Sequence, residues 1–202
     1  RLAHGNFGEV FKATYKQQSV AVKRLSRTRL AEPLLLEAFA EEGALMAQLD
    51  HPNVVSIVGA CWSVEHGSMC LVLELCSRGS LEDLLLDTDV PLGWMDELLP
   101  LATGIARGMA YLHAQAPPVL HRDLKPENIM IDADGFPKLI DFGFARVLRP
   151  EERSYTVCGT VEYLAPEVVL GRGHCARVDL WSLGVLIFEL LMGATPFADE
   201  HS

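Results

Sequence analysis

The sequence predicts an α+β fold in which a small antiparallel β unit with one helix precedes a larger, mainly helical unit. Three observations predict it. Short β-type segments separated by turn residues fill the chain to about residue 75. From Ser80 onward, apolar residues recur mainly at helical spacing. The 202 residues, half of them apolar, are enough for one large domain or two lobes with a sizeable core. The stretch CSRGS, residues 76–80, is the expected junction, which divides the chain into units 1–75 and 76–202.

Residues 5–11, 20–23 and 70–75 carry the strand patterns. One helix interrupts them, starting near Glu32 and Pro33, because proline fits a first helical turn. Leu35, Phe39, Glu42, Met46 and Leu49 fall four or three residues apart and therefore share one face of that helix. A carboxylate at Glu42, inside an apolar stripe, is costly unless it meets a cation. Lys23, which ends the segment VAVK, is the candidate cation; the plainer alternative is a solvated carboxylate at the unit's edge. Further along, Leu98, Leu101, Ala102, Ile105, Met109 and Leu112 make one apolar helix face. Val119-Leu120 and residues 129–131 read as short strands, and residues 129–140 as a hairpin turning at Asp134-Gly135. Residues 181–192 are helical and apolar almost all round, as expected of a central core helix.

The net charge is −10 and no basic cluster occurs, which argues against nucleic acid and against an anionic membrane surface as partners. A phosphate-bearing ligand must then be held by local groups or by metal. The five cysteines form no C-x-x-C pair, which points to a reducing, intracellular and cytoplasmic setting. Residues 1–10 lack the apolar segment of a signal peptide. The longest apolar run, 183–192, is interrupted by Glu189 and is too short to span a bilayer.

Several short motifs carry chemistry. AHGNFGEV (3–10) nearly matches the glycine-rich pattern G-x-G-x-x-G-x-V, whose backbone amides approach phosphates closely; an ordinary hairpin turn explains it equally well. VAVK (20–23) alone reads as a strand ending in a solvated lysine, and DFG (141–143) alone as a strand-end Asp capping a turn. HRDLKPEN (121–128) is different, because it brings six polar or charged side chains to the edge of an apolar core. GTVEYLAPE (159–167) and DLWSLG (179–184) complete an ordered set that chance does not assemble.

In that order the motifs resemble the eukaryotic protein kinase family over essentially the whole chain. The wording of GACW, LVLELCSRGSLEDLL and TVCGT resembles its tyrosine-kinase-like group, which is mostly Ser/Thr-specific. The resemblance implies a bilobal protein-kinase-like fold, use of ATP with Mg²⁺, and transfer of the γ-phosphoryl group to Ser/Thr hydroxyls of protein substrates. It implies that Asp123 is the catalytic base and that Lys125 neutralises charge on the transferring group. Asn128 and Asp141 would hold Mg²⁺ through oxygen atoms. Lys23 would grip the α/β-phosphates, positioned by Glu42, with Gly5 and Gly8 in the phosphate loop. Leu2, Val10, Ala21, Leu73 and Met130 would line the adenine pocket, and Glu74 and Cys76 would offer it backbone groups. His121 would pack beneath Phe142, Leu124 would anchor the loop, and Asp179 would brace the HRD backbone. Met46, Ile57, His121 and Phe142 match the internal stack that aligns in active kinases. Because Lys23 and Asp141 would touch phosphate or metal rather than the core, replacing them should leave folding largely intact.

The same resemblance points to an upstream activating kinase acting on residues 141–167. Thr156 is the first choice of acceptor and Ser154 the second, with Tyr155 packing and Thr160 reserved for contact with Asp123. Ala3 departs from the family's usual first glycine. The family pattern also continues beyond Ser202 and begins before Arg1, so the chain is expected to be a fragment, incomplete in its second lobe. Two alternatives stand beside the Ser/Thr kinase. A dual-specificity or tyrosine kinase is disfavoured by Lys125 and by Gly159-Thr160. A pseudokinase scaffold would be favoured by loss of Lys23, Asp123 or Asp141, all of which are present.

Overall fold

In a computed structural model, which describes residues 2–5, 8–26, 29–63, 68–89, 92–149 and 152–198, the chain divides into two compact units, Arg1–Ser77 and Arg78–Ser202. The first is built on five antiparallel strands: β1 (Ala3–Gly5), β2 (Gly8–Tyr15), β3 (Gln18–Leu25), β4 (Ile57–Ser63) and β5 (Ser68–Glu74). Their order across the sheet is β1-β2-β3-β5-β4. Helix α1 (Pro33–Met46) opens with proline in its first turn and packs on the sheet with Phe39, Glu42, Gly43 and Met46 buried. Leu49, just past the helix, is buried as well, so the stripe read from the sequence lies inward. Gly43 permits the approach, since a Cβ there would lie 2.7 Å from Leu71 Cδ2 on β5.

Two features of this sheet differ from the sequence expectation. Strand β4 is additional; its pairing with β5 slips between Ile57 and Gly59, and that irregularity breaks the alternation that marks a strand. The β2-β3 hairpin is also longer than residues 5–11 and 20–23 suggest. Lys16 and Gln17 turn it with φ of 48° and 66°, a conformation usually signalled by Asn or Gly, so the chain carries no turn signature there.

The second unit is mainly helical. Helix α2 (Leu81–Leu86) is capped by Ser80, whose hydroxyl accepts from the Asp83 N–H while the Asp83 carboxylate accepts from the Ser80 N–H. The hydrogen bond from the Ser80 backbone N–H to the exposed Asp83 carboxylate, and next the Ser80 side chain beside it, lower its pKa. Helix α3 (Leu99–His113) buries Leu101, Ala102, Ile105, Met109 and Leu112, and Leu98 just before it is buried too. Short strands β6 (Val119–Leu120), β7 (Ile129–Ile131), β8 (Pro137–Leu139) and β9 (Arg146–Val147) pair as β6-β9 and β7-β8. The β7-β8 hairpin turns through Asp132–Phe136, with Asp132 Oδ1 accepting from the Asp134 and Phe136 N–H groups. After α4 (Pro166–Val169), helix α5 (Arg177–Met192) stops at Gly193, whose φ of 78° favours glycine. Its burial corrects one expectation. Val178, Asp179, Ser182, Val185, Leu186 and Leu190 are buried, but Leu180, Trp181, Phe188, Leu191 and Met192 are exposed. Trp181 covers part of that outer face by stacking on Phe197, with ring centroids 6.0 Å apart. An antiparallel sheet with helices, α+β in class, is therefore what the chain adopts.

Candidate active site

In the first unit, register carries Lys23 to the helix. Lys23 sits opposite Leu71 on the sheet and, like the buried Leu71, points to the face that α1 covers. Its ammonium donates to both oxygens of Glu42, at 2.7 and 3.0 Å. The Glu42 side chain is 2% exposed and that of Lys23 is 14% exposed, so water screens this pair weakly. Glu42 is thus a buried carboxylate that meets the Lys23 cation, the first of the two readings its place in the apolar stripe allowed. This revises the expectation that replacing Lys23 spares the fold.

Other proposed nucleotide residues lie on the same sheet. Ala21 pairs directly with Leu73, and Val10 with Lys23. Leu2 is exposed and Cys76 buried. Glu74 is locked locally: its N–H donates to Ser56 O at 3.0 Å and its carboxylate accepts from Ser56 N–H at 2.7 Å. Gly8 has a structural reason of its own, since a Cβ there would lie 2.0 Å from the carbonyl oxygen of Arg24. Asn6 and Phe7, the tip of the glycine-rich stretch, lie outside the described residues, as do the side chains of Ala3 and His4.

In the second unit, the HRD segment is organised by Asp179 from α5, which is 0% exposed. Its Oδ2 accepts from His121 N–H at 2.9 Å and from His113 Nε2 at 2.8 Å; its Oδ1 accepts from Arg122 N–H at 2.8 Å. These bonds hold Arg122 at φ 66°, a left-handed conformation unusual for arginine. The Arg122 side chain is also tied down: Nε donates to Phe144 O at 2.6 Å and one terminal nitrogen to Ser154 Oγ at 3.1 Å. His121 is fully buried, with its ring edge-on to Phe142 at 5.3 Å. Its Nε2 lies 3.0 Å from Ile140 O, and because a carbonyl only accepts, Nε2 carries the hydrogen. Leu124 is 0% exposed and anchors the loop.

Asp123 follows, with both carboxylate oxygens engaged. Oδ2 accepts from Asn128 Nδ2 at 2.7 Å; Oδ1 accepts from the Thr160 N–H at 3.0 Å and the Thr160 hydroxyl at 3.1 Å. The neighbouring Gly159 has φ 105°, and a Cβ there would lie 2.6 Å from Arg122 O, so only glycine lets Thr160 reach Asp123. Asn128 Nδ2 also donates to Asp123 O at 2.8 Å. With both amide hydrogens committed, the Asn128 oxygen is the end left to act as a ligand. The Ile140 N–H donates to the backbone carbonyl of Asn128 at 3.0 Å, so Asp141 directly follows the residue that pairs with Asn128. Asp141 itself is half-buried at φ 60°. Lys125 faces Glu127 at 3.4 Å. Met130 is half-buried on β7.

Asn128 and Asp141 suit a hard cation: an amide oxygen and a carboxylate, with ligands left for phosphate and water, as Mg²⁺ prefers. Among the described residues no group of three or more His, Cys, Asp or Glu is placed to hold a metal ion.

Several contacts had no sequence signal. His113 meets Asp179 across 66 residues of chain. Tyr163 donates its hydroxyl to Glu189, and burial foremost pushes both pKa values up. Ser154 is 1% exposed and bridges His174 in both backbone directions, at 3.0 and 2.9 Å. Thr156 and Tyr155 are exposed, and the Tyr155 ring lies against Gly173, where a Cβ would come within 2.9 Å of it.

A family model described as the protein kinase domain matches residues 1–202. Similar curated proteins include the putative serine/threonine-protein kinase/receptor R831 of Acanthamoeba polyphaga mimivirus, 39% identical over 98% of this chain and 12% of that protein. The probable serine/threonine-protein kinase drkD of Dictyostelium discoideum is 37% identical over 100% of this chain and 15% of its own length. Mouse cGMP-dependent protein kinase 2 is 35% identical over 98% of this chain and 25% of its own length. The chain therefore spans a quarter or less of each of these relatives. With a match along its whole length and the HRD, DFG and APE segments in place, the chain belongs to the protein kinase domain family.

Proposed function

We propose that the protein transfers the γ-phosphoryl group of ATP to serine or threonine hydroxyls of protein substrates. The observation that carries this is Asp123, a carboxylate only 9% exposed, oriented through both oxygens by Asn128 and Thr160. So held, Asp123 accepts the proton of an incoming hydroxyl without first reorganising. Lys125 lies two residues on, where its ammonium can turn from Glu127 to a phosphoryl oxygen. Lys23, already fixed by Glu42, binds the α/β-phosphates. Asn128 and Asp141 hold Mg²⁺, which supplies charge neutralisation on the phosphates when bound. Leu2, Val10, Ala21, Leu73 and Met130 provide apolar contact for adenine, while Gly5, Gly8, Glu74 and Cys76 provide backbone groups.

Serine or threonine acceptors are favoured by Thr160 on Asp123, together with Lys125. A pseudokinase scaffold is the second reading, and it is disfavoured because Lys23, Asp123 and Asp141 all remain. An upstream kinase would act on Thr156, which is exposed, rather than on Ser154, whose hydroxyl is buried against Arg122. No helix among the described residues is long and apolar enough to cross a membrane. Asp123→Asn tests the assignment: transfer should slow about 10²–10⁴-fold with ATP affinity nearly unchanged. Lost ATP affinity with an unchanged rate per bound ATP would give Asp123 another role.

A further inference from the structure

Cys61 and Cys70 are direct cross-strand partners on β4 and β5. Opposed residues of an antiparallel pair project to the same side, with Cα atoms about 4.5–5.5 Å apart, inside the range a disulfide spans. That side is the sheet's outer face. Leu71, which alternates with Cys70, is buried, and Trp62, which alternates with Cys61, packs edge-on against Phe39 of α1 at 6.0 Å. Cys61 is exposed, Cys70 is partly exposed, and both are free thiols. Next in the row, opposite Cys70, stands Arg24, itself paired with Glu9 at 3.1 Å. Burial, and then the neighbouring Cys61, raise the Cys70 pKa, while Arg24 acts the other way.

We propose that Cys61 and Cys70 form a peroxide-sensitive dithiol that closes to a cross-strand disulfide. The more exposed Cys61 sulfur, as thiolate, attacks one peroxide oxygen; the O–O bond breaks, giving Cys61 sulfenic acid and hydroxide. The Cys70 sulfur then attacks the Cys61 sulfur, losing its proton, and the S–O bond breaks with departure of water. In sum, two thiols and one hydrogen peroxide give one disulfide and two waters. Arg24 favours the developing Cys70 thiolate in the second step. The staple joins two strands already in register, so no backbone rearrangement is required, and a dithiol reductant reverses it.

The test treats the protein with hydrogen peroxide, blocks the remaining thiols, and digests without reduction using a protease that cuts after glutamate. Cleavage after Glu65 and Glu74 separates Cys61, Cys70 and Cys76 into different peptides. The expected result is loss of two of the five thiols together, a Cys61–Cys70 linked peptide, and recovery of both thiols on reduction. In Cys70→Ser the link disappears, and Cys61 proceeds to sulfinic acid under conditions that leave it as disulfide in the wild type. A link that instead joins either cysteine to Cys76, Cys158 or Cys175, or that appears only between two protein molecules, overturns the proposal. So does sulfinic acid formation at Cys61 at the same rate with and without Cys70.

Discussion

Replacing Asp179 with asparagine exchanges one oxygen for an NH₂ group and leaves the shape almost unchanged. Asp179 accepts three hydrogen bonds at 2.8–2.9 Å while 0% exposed. Its Oδ2 serves two donors and its Oδ1 serves one, so the least harmful orientation sets NH₂ against the Arg122 N–H. One charge-assisted bond worth about 1.5–3 kcal/mol is then lost, and two donors face each other. The two surviving bonds also weaken, because their acceptor no longer carries charge. Arg122 holds a left-handed backbone, which costs about 1–3 kcal/mol and persists only while its surroundings enforce it. Part of the loss is recovered if Arg122 relaxes, but relaxation moves Asp123, the next residue. The net expectation is a loss of about 2–4 kcal/mol, a large share of a domain's usual 5–15 kcal/mol, with a fall in kcat beyond it. Urea unfolding should show a lower midpoint at unchanged slope. A midpoint shift worth under about 0.5 kcal/mol with kcat unaltered would refute the bracing role of Asp179.

Lys23→Met should abolish transfer and also destabilise the fold by about 3–5 kcal/mol, because Glu42 is left buried without its cation; adding Glu42→Gln should restore much of the stability and none of the activity, as denaturation of both variants will show. Gly159→Ala should cost about 1–3 kcal/mol and lower kcat more than KM, since it forces Thr160 away from Asp123; equal effects on both constants would count against that. His174 is 3% exposed, its Nδ1 has no hydrogen-bond partner among the described residues, and burial lowers its pKa below the ordinary 6.5. The unfolded chain therefore takes up the proton first, and stability should fall as pH drops below about 6.5. The thermal midpoint of His174→Gln should lack that part of the decline, and identical pH profiles would refute it.

The fold and the site were legible to different depths. The α1 stripe and the position of Glu42 within it led to Lys23, because an apolar face at helical spacing exposes any charge that breaks it. The β7-β8 hairpin was legible from Asp134-Gly135, whereas the turn at Lys16-Gln17 was not, since it uses left-handed backbone without the residues that favour it. Strand β4 carries no clear strand alternation, because its register slips between Ile57 and Gly59. Within the site, each motif marks residues, but not the donors that aim them. His113 reaches Asp179, and Ser154 reaches Arg122, from 66 and 32 residues away in sequence. No local pattern encodes such pairs; only the packing of α3, α5 and the loops between them creates them.

The most direct test of the Ser/Thr kinase assignment is transfer of labelled γ-phosphate from ATP to a generic protein substrate, with Asp141→Asn as control and phosphoamino-acid analysis of the product. Label on phosphoserine or phosphothreonine with the unmodified protein, and none with Asp141→Asn, is the predicted result. Equal labelling by both proteins, or label found only on tyrosine, would contradict it.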